Sequence, residues 1–476
     1  MRLDENEATR QMQRRPAPNA TKMSRELHVP FVLTALAFAI LGGFSLAIVL
    51  PVEAALGIGT ASRVSHAQIH GHMQVVGFVG VMVVGIAYHL IPAFKGRSLA
   101  AARLTTPSLV LLAGGVLLRV IGQQLATHST FAATMVLGAI MEAAGSVCFA
   151  VVVLATLLPG LRRGDPTPWF FCAGAVWFET QAMLGAWWVT DAALAGSPAL
   201  PPVHDGLLVT LQLFGFVLFF ILGVGVRTFP VFFAVSRPGM RALAVPYALC
   251  QIGVACALLA TLLRVTTSVE ASTLAGFGSV SLGIGLFWVT ARTGWWRAPS
   301  RLRPASRPFA LPLQIALAWL STAALALVGM GITGLFTQSL PPASQVDAVR
   351  HIVAVGVVLT TIVAMGQLVL PEFASERFSG AQSAWRGIAL GVLLAVATVL
   401  RGGSRWWDQS LPPLGVNIAM AAGGVIGMAV MATFAVLYVR GLRQHRALLA
   451  RFAAMTEGGG SWALTPVTPR PSDPEP

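Results

Sequence analysis

Twelve apolar stretches follow one another between residues 30 and 440, most of them twenty residues or longer. A stretch of that length crosses the ~30 Å hydrocarbon layer of a bilayer as one α-helix. Inside that layer each backbone N–H and C=O must find its partner within the segment, which a helix provides. The stretches fall at 30–52, 66–94, 107–126, 131–158, 168–190, 204–234, 242–264, 272–291, 309–336, 345–371, 385–400 and 412–440, the eleventh being the shortest. Only 11% of the residues are charged, against about a quarter in a soluble domain. Mean hydropathy is +0.74. The expectation is an all-α polytopic membrane protein of about twelve transmembrane helices, with the lipid bilayer as its surroundings.

The formal charge of +14 would suggest nucleic acid in a soluble chain. Here the basic residues sit in short connections between apolar stretches, as membrane topology demands, so nucleic acid is excluded as a partner. Alternating the helices gathers 26 Lys and Arg on the side of the N-terminus and leaves 6 on the other. That asymmetry predicts an even number of helices with both termini in the cytoplasm. Residues 1–29 read as a cytoplasmic basic tail and not as a cleaved leader, because the stretch after them is too long for one. Residues 441–476 read as a cytoplasmic disordered tail, rich in Gly and Pro from Glu457 onward. The four cysteines all lie inside apolar stretches without a CxxC pair and read as small buried hydrophobes.

Three even-numbered stretches share a pattern when aligned on a late proline: Pro92, Pro230 and Pro371. Fifteen residues earlier stand Gly77, Gly215 and Gly356, and twenty earlier His72, Thr210 and His351. Twenty-six earlier stand His66, His204 and Gln345, and two residues after each proline is a phenylalanine. The expected unit is four helices repeated three times, over about 30–158, 168–291 and 309–440.

On this topology His66, His70, His72, His128, His204 and His351 fall near the outer ends of helices, so three helices bring imidazole to one depth. Neutral imidazole is the commonest metal and haem-iron ligand, and ionisable groups inside a membrane are costly enough to invite a functional reading. A lone histidine at a helix end is more often a capping or interfacial residue, so the weight falls on the repeat-equivalent pair. At 100° per residue His66 and His70 lie about 40° apart, while His72 is about 200° from His70. One helix then serves two sites. His72 and His351 are the expected axial pair of a haem, with His70 as the neighbouring candidate, and His66, His70 and His204 are a candidate metal or second haem site. Arg119, inside the third helix, is a candidate partner for a haem propionate, against snorkelling to the interface. Glu142 and Glu179, near mid-membrane, suit proton movement, cation binding or an interhelical hydrogen bond.

Twelve helices in three four-helix repeats, with histidines at the outer ends of helices two, six and ten, resemble subunit I of the haem–copper oxidases. The segments H-G-H-M-Q-V-V-G-F (His70 to Phe78) and R-H-I-V-A-V-G (Arg350 to Gly356) look more like the NnrS family of haem- and copper-containing membrane proteins. The resemblance implies a bacterial inner-membrane protein with haem b and possible copper, handling nitric oxide or another diatomic ligand, or passing electrons from a donor or subunit partner. It puts the low-spin haem on His72 (or His70) and His351, and a copper ligand on His204. The oxidases' further copper histidines have no counterpart in 242–264. Two rival readings are a twelve-helix secondary transporter and a haem-based sensor or assembly factor without turnover. A carrier favours two related halves and helices broken at the midplane, which the three-part pattern does not match.

Overall fold

The computed structural model describes residues 27–59, 62–125, 128–161, 164–263, 268–302, 304–373 and 381–457. The basic tail through residue 26 and the Gly- and Pro-rich tail from residue 458 lie outside the described residues, as do Arg162, Arg163, Arg264, Arg303 and Arg377. Among the described residues the chain is helical and contains no strand. The long helices are α1 (His28–Leu56), α2 (Arg63–Lys95), α3 (Ala102–Gln124), α4 (Ser129–Leu157), α5 (Thr167–Leu194), α6 (Pro202–Phe232), α7 (Met240–Leu262), α8 (Val269–Ala291), α9 (Ser306–Thr337), α10 (Ala343–Leu368), α11 (Trp385–Trp406) and α12 (Pro413–Gln444). Eleven of them are long and apolar enough to cross a membrane. α5, which carries Glu179 and Asp191, is the remaining long helix, with 28 residues. The protein is a multi-pass membrane protein.

Two boundaries differ from expectation. Residues 441–457, placed in the tail by their charge, continue the last helix to Glu457, because the Ala-, Leu- and Arg-rich segment is a strong helix former. α11 runs past residue 400 to Trp406, so Arg401 and Arg405 belong to a helix and not to a loop. Their guanidiniums find buried acceptors, described below, which offsets the cost of taking charge into the bundle.

Sequence neighbours pack side by side, α3 on α4, α4 on α5, α7 on α8 and α8 on α9, and α12 packs against α1. The interior belongs to α2, α6 and α10. Between 72% and 78% of their most apolar windows is buried, against 33% to 56% in the eight other apolar spans. α6 touches both α2 and α10. Phe178 of α5 and Phe216 of α6 stack with centroids 4.1 Å apart, and Phe149 of α4 meets both edge-on.

Each interior helix contains a π-helical stretch: Met73–Gly80, Leu211–Val217 and Ile352–Leu359. Each begins directly after His72, Thr210 or His351, nineteen residues before its late proline. A π stretch shifts the hydrogen-bond register by one residue, re-aims the side chains before it relative to those after it, and is found most often at functional sites. Two more occur in α1 (Ala39–Phe44) and α11 (Val399–Gly403), the helices that flank the histidine end of α2 and α10.

The α3–α4 seam is set by glycine. A Cβ on Gly138 would lie 2.4 Å from the Arg119 nitrogen, and one on Gly122 would lie 2.4 Å from the Met135 nitrogen. Only hydrogen side chains allow the two backbones so close. This approach carries Arg119 of α3 up against Glu142 of α4.

Candidate functional site

The N-terminal ends of the interior helices hold two polar clusters, one on each side of α2, as the opposed directions of His70 and His72 require.

The first cluster lies between α1, α2, α10 and α11. His70 Nδ1 donates to the Gly43 carbonyl at 2.8 Å. Gly43 sits in the π stretch of α1, and a Cβ there would collide with Gln74 at 2.5 Å. His351 Nδ1 donates to the Asp347 carbonyl at 2.9 Å, with the Asp347 carboxylate 3.4 Å away. A carbonyl only accepts, so both rings carry their hydrogen on Nδ1 and turn Nε2 inward. A guanidinium only donates, and Arg401 Nη2 lies 3.0 Å from His351 Nε2, which therefore accepts. The other arm of Arg401 donates to Ala47 O at 3.1 Å and Met420 O at 3.0 Å. Arg405 binds Asp347 and Asp408, each at 2.9 Å. His70 lies within electrostatic reach of Arg401, His351 and Asp347.

The second cluster lies between α2, α3 and α4. His72 Nε2 is 2.9 Å from Glu142 Oε1 and 3.4 Å from Arg119 Nη1. One ring nitrogen cannot donate to a carboxylate and accept from a guanidinium together. The shorter contact to Glu142 is the hydrogen bond, and Arg119 pairs with Glu142 Oε2 at 3.8 Å. All three are buried. Asp205 of α6 acts on Arg119, His72 and Arg350, and Arg350 Nη2 donates to Gly206 O at 2.8 Å. Asp205 and Arg350 thus bridge the two clusters through α6 and α10.

The expected axial pair, His72 and His351, is divided between the clusters. His72 spends Nε2 on Glu142, whereas His70 faces the side of His351. Arg119 is buried at 4% exposure and points inward, so it does not snorkel. The expected trio of His66, His70 and His204 is not brought together. His66 Nε2 meets Gln124 Oε1 at 2.9 Å at the rim, and His204 stacks on Trp188 at 4.2 Å with the planes 7° apart. Among the described residues no group of three or more His, Cys, Asp or Glu gathers as a metal cage. Glu142 belongs to the second cluster, while Glu179 accepts from Ser146 Oγ at 2.7 Å, away from both.

Asp205, Asp347, Arg350 and Arg401 were not singled out by sequence reasoning. Two signals were present. Asp347 and His351, and Arg401 and Arg405, are i, i+4 pairs on helices, and charges inside apolar stretches default to interior faces.

Within these clusters Arg119 Nε and Arg350 Nε are buried donors without a hydrogen-bond partner among the described residues. Beside His70, a Cβ on Gly71 would meet nothing within 4 Å, although the helix is interior. Free guanidinium N–H groups, an open position on α2 and two Nδ1-anchored histidines are the donor set that a haem with its two carboxylates uses. The residues present fit that group.

No protein-family model matches the chain, and no curated protein matches it.

Proposed function

We propose that the chain is a haem-binding protein of the bacterial inner membrane, similar to the NnrS family, with haem b iron held by His70 of α2 and His351 of α10. The observation that carries this reading is the anchoring of both rings through Nδ1–H to a carbonyl oxygen. Metal-ligating histidines are oriented that way: the outer bond fixes the tautomer and ring plane and turns Nε2 to the metal, for which His351 would exchange its 3.0 Å bond with Arg401 Nη2. The three π stretches at one offset, together with the burial of α2, α6 and α10, support three related four-helix units and a bundle like subunit I of the haem–copper oxidases. The charge asymmetry supports cytoplasmic termini.

In this reading Arg119 and Arg350 supply the unpaired donors for the haem carboxylates, and Arg401 is the cation beside His351. When bound, the haem would supply a one-electron carrier served by a donor or subunit partner, or, with one histidine displaced, a site for nitric oxide or another diatomic ligand. The protein's part is to orient two imidazoles, to neutralise two carboxylates and to keep water from the ring. Copper at His66, His70 and His204 would require these side chains to leave three different neighbours, so iron is the metal proposed.

The test is to purify the protein in detergent, measure iron and pyridine haemochrome, and record reduced-minus-oxidised spectra. About one haem b per chain with a low-spin spectrum is expected. No Soret band and no iron, after expression with added haem precursor, removes the reading. Haem well below one per chain that exchanges with free haem favours a sensor or assembly factor. The buried His72–Glu142–Arg119 cluster supports a second reading, a proton-coupled carrier, in which case the protein is haem-free and Glu142→Gln abolishes transport.

A further inference from the structure

At the opposite end of the bundle, the loops before α5 and α7 enclose a cavity of about 230 Å³ lined by Gly164, Asp165, Pro166, Thr167, Arg227 and Arg237, among others. We propose that this cavity is a binding site for a phosphate group. None of its lining residues belongs to the histidine clusters, so it stands independently of the haem reading.

The charge in and beside the cavity is unbalanced. Asp165 is its only carboxylate, and it is shared between Arg227 at 3.8 Å and Lys95 at 3.9 Å. Both distances are long, and Asp165 also accepts from the Thr167 backbone N–H at 3.1 Å. Arg237 has no ion pair and no hydrogen bond among the described residues, so the lining sets two arginines, Arg227 and Arg237, against the one carboxylate of Asp165. Arg227 does not sweep freely through solvent, because its guanidinium lies 4.7 Å over the Phe94 ring, a contact that holds the charge in place.

The wall is backbone on the other side. Met240 N–H donates to Gly164 O at 3.1 Å, tying the two loops together. Gly239 caps α7 without a side chain, so the first N–H groups of that helix have no side-chain acceptor. Arginine guanidiniums select a planar or tetrahedral oxyanion over a halide, and the cavity has room for a phosphate with its ester arm.

Depth identifies the class of ester. Arg227 lies five residues before the end of α6 at Phe232, about 8 Å along the axis, within the headgroup layer if α6 spans the bilayer. Basic pockets between helices at that level bind lipid phosphates. A free phosphate offers the same chemistry, so both sources belong in the test.

The full chain in detergent would be compared with Arg227→Gln/Arg237→Gln, with Arg237→Gln alone, and with Arg241→Gln, an exposed arginine outside the cavity. Monodisperse elution and unchanged helical circular dichroism establish folding, and the exposed Arg237→Gln variant keeps the test valid if the double variant misfolds. One arm adds inorganic phosphate and follows the unfolding temperature. The other reconstitutes nanodiscs of phosphatidylcholine with 20 mol% phosphatidic acid, about one lipid in five, and counts lipids retained by native mass spectrometry. Affinity is expected to fall about fivefold per arginine removed, with Arg241→Gln like wild type. Retention of phosphatidic acid without a phosphate shift assigns a lipid headgroup, and the reverse assigns a soluble phosphate. No binding of either probe by wild type, or equal binding by wild type and the double variant, overturns the proposal.

Discussion

Arg401 and His351 are joined side chain to side chain, Nη2 to Nε2 at 3.0 Å, across the contact between α11 and α10. The bond couples the imidazole to a guanidinium that also holds α1 and α12 through Ala47 O and Met420 O. One buried side chain therefore fixes four helices and the orientation of one histidine. The cost of burying it is met by three acceptors and the neighbouring Asp347.

Arg401→Met removes those bonds. A loss of about 2–4 kcal/mol is expected, from charge-assisted bonds of about 1.5–3 kcal/mol each less what relaxation recovers. Arg405→Ala, at a partly exposed pair, should cost under about 1 kcal/mol. Unfolding by SDS titration measures both. Equal losses would contradict the role given to Arg401.

Glu142 and Arg119 form a buried couple in which either partner alone is worse than neither. Glu142→Gln strands a guanidinium, and Arg119→Met strands a carboxylate, each expected to destabilise by about 3–5 kcal/mol. The double variant should recover a large part, giving a coupling of about 1–3 kcal/mol. Additive losses in the cycle would mean that the two do not act as a pair.

The helices were legible because hydrocarbon imposes one rule on each stretch, and α2, α6 and α10 were legible as a related set because Gly77, Gly215 and Gly356 each precede Pro92, Pro230 and Pro371 by fifteen residues, though not as the interior of the bundle. The π stretches were not. Nothing in Met73–Gly80 distinguishes it from ordinary apolar helix, and only packing decides the register. The opposed faces of His70 and His72 followed from the 100° step, yet which face meets His351 did not, because it depends on where α1 and α11 lie. Equivalence in the repeat favoured His72, while the bond of His70 to the Gly43 carbonyl and that of His72 to Glu142 favour His70 in the proposed reading. Arg401 was missed because α11 was ended at residue 400, before its guanidinium could be counted as interior.

Glycines on the two faces should respond oppositely. Gly138→Ala puts a methyl 2.4 Å from the Arg119 nitrogen, so the α3–α4 seam must open, at about 1–3 kcal/mol. Gly71→Ala meets nothing within 4 Å and should fold as wild type. Gly71→Phe should also fold, but bind less haem if the open position belongs to the cofactor. Full haem in Gly71→Phe would place the ring elsewhere.

The most direct measurement compares the low-spin haem spectra of His70→Ala, His72→Ala and His351→Ala at equal protein, with folding checked by circular dichroism. The bis-histidine signal should vanish in His70→Ala and His351→Ala and persist in His72→Ala. Loss in His72→Ala with retention in His70→Ala would contradict the assignment and return the iron to the other face of α2.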